Sequence, residues 1–268
     1  MNKIKTIIKK EWAEVFKNRW VLFSVIFMPL LMTAIPLVML GVMRTDTSME
    51  MDIDSGLDAG VPEAFRSFCP EDLSGSECFQ VYMVSQFMLL FMITPLILPV
   101  NIAAYSIVGE KTTRSLEPLL ATPITTMELL AGKNLAAVIP AVAATWLGFL
   151  IYAIGARLLI VSDKVVAALL NPLWWLGIIV GGPLLAILSV NFSLMVSSRV
   201  NDPRVAEQLS AVVIMPLMVL FFGQIAGFLI LNTLLVIVLI LLLIAVDALL
   251  VYLGVRLFQR ETILTRWK

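Results

Sequence analysis

Histidine is absent from all 268 residues, which removes the commonest general base and metal ligand. Cysteine is scarce: Cys69 and Cys78 are the only two, too few for a cysteine-rich zinc or iron–sulfur site. Charge is also thin, with 14% of residues charged against 60% apolar, well off the soluble average. No phosphate-binding loop is present either, because Gly109-Glu110-Lys111-Thr112-Thr113 lacks the Gly-x-x-x-x-Gly-Lys-Ser/Thr spacing. A hydrolase or transferase would have to work with Asp, Glu, Ser or Lys alone, and most of the acids fall in polar segments. These gaps argue against an enzyme, a metalloprotein or a nucleotide-binding chain. No soluble domain of ordinary size fits, since the longest stretch without a membrane-length apolar run is 44–80.

Long apolar runs dominate what is there. A helix needs about 20 apolar residues to cross a roughly 30 Å hydrocarbon core. Residues 20–43 form an uncharged run of 24, which predicts span 1. Residues 81–109 predict span 2 and 134–156 span 3. Residues 165–198 are uncharged for 34 positions, longer than one span needs, and Asn171-Pro172 suggests a break, so span 4 is expected over 172–198. The 48 residues 208–255 carry one charge, Asp247, and predict two spans, 208–230 and 232–255, with a tight turn near 227–232. Span 1 is too long for a cleaved signal peptide, and Pro29 and Pro36 interrupt it.

Charge bias orients these spans. Lys3, Lys5, Lys9, Lys10, Lys17 and Arg19 precede span 1, whereas 44–80 holds nine acids and two bases. Lys111, Arg114 and Lys133 mark 110–133 as a cytoplasmic loop; Arg199 and Arg204 do so for 199–207, and Arg256, Arg260, Arg266 and Lys268 for the tail, 256–268. The inside so assigned carries 15 bases and the outside four. The expected fold is an all-α polytopic membrane protein with six transmembrane helices in one membrane domain. Both termini are cytoplasmic, and the chain sits in the plasma or inner membrane. Residues 1–19 predict an interfacial amphipathic helix, with Ile4, Ile8, Trp12 and Val15/Phe16 on one face. It is either a basic anchor or a connecting helix that passes motion into span 1.

Residues 44–80 read as a solvated extracytoplasmic segment. Cys69 and Cys78 lie nine residues apart there, either as a local disulfide or as free or modified thiols. Asp247 is the one ionisable residue deep in an apolar run, which marks a translocation path or a buried pair, with Asn101, Asn191 and Gln224 as candidate polar partners. Pro29, Pro36, Pro95, Pro99, Pro140, Pro183 and Pro216 are expected to kink several spans.

The loop 110–133 carries the most information. Thr125 and Glu128 have capping-box spacing, which predicts a helix from Thr126 through Lys133 into span 3. Leu116, Leu119 and Leu120 form an apolar ridge among charges, one that must lie on the membrane surface or against another protein.

This stretch resembles the corresponding loop of type 2 ABC permeases, the membrane halves of ATP-driven exporters. Glu110, Lys111, Leu116, Glu117, Leu119, Leu120, Pro123, Glu128, Leu129, Leu130, Gly132 and Lys133 match that pattern. Ser115 replaces a Thr, and Arg114 stands where Gly is common. The segment 201–210, followed by Pro216, is also similar to the family, and the short form is most like sodium, drug or peptide exporters. The resemblance implies a separate ABC ATPase subunit that binds ATP and Mg, so no cofactor belongs to this chain. Residues Glu110, Lys111, Arg114, Leu116, Glu117, Leu119, Leu120, Pro123, Glu128 and Lys133 would form the segment coupled to it. It also implies a second permease, identical or related, and no nucleic-acid partner. Two readings from other classes stand beside it: a membrane scaffold or regulator that moves no substrate, and an ion-coupled secondary transporter using Asp247.

Overall fold

A computed structural model describes residues 2–17, 19–45, 75–112, 124–160, 162–169, 171–226, 228–229 and 232–257. Among these residues every regular element is helical. Six stretches are long and apolar enough to cross a membrane: Val21–Val42, Glu77–Glu110, Thr126–Leu159, Asp163–Arg199, Pro203–Ile225 and Thr233–Leu257. This is an all-α polytopic membrane protein, preceded by a separate amphipathic helix, α1 (Asn2–Val15).

The first span is α2 (Arg19–Thr45), and the second is split into α3 (Gly75–Phe91) and α4 (Thr94–Thr112) by a turn at Met92 and Ile93. The long α5 (Thr126–Leu159) follows. Two short helices, α6 (Asp163–Leu169) and α7 (Pro172–Trp175), lead through a π-helical turn, Leu176–Gly181, into α8 (Gly182–Arg199). The fifth span combines α9 (Pro203–Ser210), a 3-10 turn (Ala211–Ile214) and α10 (Met215–Ile225), and α11 (Thr233–Leu257) is the last.

The irregularities have a common cause. Proline lacks an N–H, and its ring clashes with the carbonyl four residues back, so a helix tolerates it best in its first turn. Pro95, Pro183 and Pro216 each sit at such a start, directly after the Met92–Ile93 turn, the π turn and the 3-10 turn. Pro29, Pro36, Pro99 and Pro140 instead lie inside continuous helices. Pro172 opens α7, where the Asn171 side chain caps the helix by accepting from the Leu173 N–H.

Two helix pairs organise the bundle. The most extensive packing is between α4 and α8, and Ser189, Ser193 and Ser197 line one fully buried face of α8. Small side chains at this spacing let backbones approach in a membrane, and Ser189 Oγ donates to the Leu96 carbonyl at 2.5 Å. The second pair is α2 on α5. Thr33 Oγ1 donates to the Pro29 carbonyl at 2.6 Å and lies 3.3 Å from the Gly148 carbonyl, and a Cβ on Gly155 would fall 2.8 Å from Leu37. An aromatic-rich core of Phe91, Phe149, Tyr152 and Trp174 fills the half of the bundle away from α1. An aliphatic core of Val15, Val21, Ile102, Leu130, Val190 and Leu194 fills the half beside it.

Candidate functional site at the ends of the connecting segment

The segment joining α4 to α5 is flanked by two of the charged residues singled out in the sequence, Glu110 and Lys133. Both are buried, 3% and 4% exposed, and their ion pair measures 3.0 Å from Lys133 Nζ to Glu110 Oε2. Lys133 Nζ also donates to Glu11 Oε1 at 2.8 Å and to Ser106 Oγ at 2.6 Å. Lys10 Nζ donates to Glu110 Oε1 at 2.7 Å from the half-exposed edge. Two ammonium groups and two carboxylates thus form one compact, neutral set drawn from α1, α4 and α5.

Position explains why these charges tolerate burial. Glu110 lies in the last turn of α4, where unpaired carbonyls give the helix end a partial negative charge that opposes a carboxylate. The Lys10 and Lys133 cations offset both that field and the loss of water. Burial pulls the Lys10 ammonium down, but hydrogen bonding and charge from Glu110, with Glu14 and Glu11 adding to them, hold it above its ordinary value.

The sequence docks α1 by shape as well as charge. Ile7, Glu11 and Val15 recur every four residues and are buried against the bundle. A Cβ on Gly132 would sit 2.7 Å from Ile7 Cγ2, so only glycine there admits α1 this closely. Trp12 Nε1 donates to the Ala136 carbonyl at 2.9 Å, one turn further along α5. The face of α1 buried on protein thus runs through Ile7, Glu11 and Val15, while Ile4, Ile8 and Trp12 of the expected apolar face are half-buried and Phe16 is exposed.

Glu128 has a different task. It completes the expected capping box: Thr125 N–H donates to Glu128 Oε2 at 2.9 Å, and Glu128 N–H donates to Thr125 Oγ1 at 3.2 Å. Its carboxylate also suits the positive end of α5 and pairs with Lys3 at 3.5 Å.

Residues 5–247 match the family described as ABC-2 family transporter protein. The chain belongs to that family. It is the membrane permease component of an ABC transporter, and the matched region takes in most of α1. No curated protein matches the chain. Permeases of the ABC-2 family generally pair with an ABC ATPase subunit.

The other residues singled out in the sequence of this ABC-2 permease divide into three groups. Lys111 belongs to the α4 backbone, while Arg114, Leu116, Glu117, Leu119, Leu120 and Pro123 lie outside the described residues. Asn191 accepts from Asn134 Nδ2 at 3.0 Å and donates to the Ile187 carbonyl, tying α8 to α5. Gln224 and Asp247 are buried, and among the described residues their side chains have no hydrogen-bond partner. Asn101 is half-buried on α4, and none of these four bonds to another. Cys78 is buried and disulfide-bonded at the start of α3; Cys69 lies outside the described residues, as do 46–74 and the tail after Leu257.

Sequence reasoning passed over Lys10, Glu11 and Ser106. One signal was available: Glu11 interrupts the apolar positions of α1 with an acid, which marks a charge that needs a buried partner.

Proposed function

We propose that this permease is the transmembrane half of an ATP-driven exporter, energised by a separate ABC ATPase that docks on the segment between α4 and α5. The observation that supports this reading is the ion set of Lys10, Glu11, Glu110 and Lys133, which joins both ends of that segment to α1. Moving one of these elements alone would break buried ion pairs to the others. Glu117, Glu128 and the Leu116, Leu119 and Leu120 ridge would supply the docking surface, with Lys111, Arg114 and Pro123 beside them. ATP binding would act by stabilising one arrangement of the spans over another. The ATPase would supply the ATP and Mg sites, the termini would face the cytoplasm of a plasma or inner membrane, and a second permease copy or relative would complete the pathway.

Co-purification tests the docking. A stable complex with an ABC ATPase is expected for the unaltered chain and lost when Glu117 and Glu128 are both reversed to lysine. Undiminished assembly of that double variant overturns the docking assignment. Transport that follows a proton gradient and ignores ATP overturns the exporter reading and favours ion coupling through Asp247.

A further inference from the structure

The last two spans follow one another in the chain, yet α10 and α11 barely touch: α10 packs on α3, and α11 on α8. Between them lies a cavity of about 190 Å3, backed by the π turn and α8 and lined throughout by apolar side chains and glycine. Leu89, Met92 and Leu96 line its buried side from the second span and Leu217, Val236 and Ile240 from the last two, while Leu242, 58% exposed, lines it and also reaches the outer surface. The cavity therefore opens sideways between α10 and α11, whose outward faces carry exposed Val219, Phe222, Leu241 and Ile244. Gly181 sits on the back wall, and a Cβ built there meets nothing within 4 Å. The glycine leaves space that no neighbouring helix uses.

We propose that this cavity holds an acyl chain of a bilayer phospholipid, entering laterally between α10 and α11. Lipid tails are as apolar as leucine, and an unfilled void forfeits the dispersion contacts of its lining. Among the described residues no polar group lines the cavity to recognise a headgroup, so only the chain enters and the headgroup stays outside. The volume is below the roughly 300 Å3 at which drug-sized sites begin, which suits a slender chain. The site does not depend on ATP-driven export.

Photolabelling of the full chain tests it. The permease is placed in vesicles of phosphatidylcholine and phosphatidylglycerol, doped with a phosphatidylcholine carrying a diazirine midway along one acyl chain. After irradiation, adducts are mapped by peptide mass spectrometry. Adducts are expected at buried Leu217, Val236 and Ile240 and should be lost in Gly181→Phe, with exposed Val219 and Leu241 labelled equally in both proteins. Leu188→Trp, which fills the cavity from α8, should give the same loss and serves if Gly181→Phe fails to fold. Absence of adducts at the three buried positions, or their persistence in the filled variants, overturns the proposal. So does cross-linking from benzoylphenylalanine at Leu220 to a second copy of the chain, which would assign the cavity to contact between protomers.

Discussion

At the α1 end of the bundle, Lys133 and Glu110 are buried and bonded, and Gly132 lets α1 approach to van der Waals contact. At α10 and α11, by contrast, Gln224 and Asp247 are buried without hydrogen-bond partners among the described residues, and the two helices stand apart around a cavity. The comparison teaches that burial alone says little about a polar residue's contribution. A buried charge with its partners fixes the relative positions of the helices that carry them. A buried polar group without partners lowers stability where it sits and is kept, if at all, for another reason.

The largest expected effect is at the first region. Lys133→Met leaves the carboxylates of Glu11 and Glu110 buried beside one half-exposed cation, and should destabilise the protein by about 3–5 kcal/mol. Thermal unfolding in detergent checks this; an unchanged midpoint would mean that the ion set does not hold α1 in place. Next comes shape. Gly132→Val drives a side chain into Ile7 and should cost about 1–3 kcal/mol, with Ile7→Ala restoring part of the loss in a double-mutant cycle.

The second region should respond with the opposite sign. Asp247→Leu removes an unpartnered buried carboxyl and is expected to stabilise the chain by roughly 1–3 kcal/mol. Stabilisation with lost transport would show that Asp247 is kept for function, whereas destabilisation would mean that it has partners in the assembled transporter. The smallest effect is at Lys10, whose half-exposed position limits Lys10→Met to less than about 1 kcal/mol. Its value is raised above 10.5 in the fold, so the contribution is complete below 10.5 and fades as pH rises through the raised value. The difference between Lys10→Met and the parent should therefore stay flat up to about pH 9. A difference that already shrinks near neutrality would break the assignment of Lys10 to Glu110.

Particular residues show how far the sequence could be read. Thr125 and Glu128 announced the start of α5 because a capping box is local, closed within four residues. Glu110 and Lys133 stood out as charges bordering an apolar ridge. Nothing local indicated that they pair with each other, or that Lys10 and Glu11, 100 and 122 residues away from them, complete the set. The prolines predicted bends without saying which would break a helix. Of the seven expected to kink spans, Pro95, Pro183 and Pro216 open a new helix after an irregular turn, and the other four lie inside continuous helices.

The sequence by itself determined six apolar stretches, an amphipathic N-terminal helix and the pattern of the α4–α5 segment. Each depends on short-range periodicity, composition or spacing, which a linear chain displays in full. Tertiary structure alone decided that α1 packs on α5, that four charges share one site in which three are buried, and that α10 and α11 part around a cavity. These depend on which faces meet across the bundle. That choice is set by Gly132 under Ile7, the serine face of α8 and the empty space above Gly181, features whose meaning appears only once their neighbours are in place.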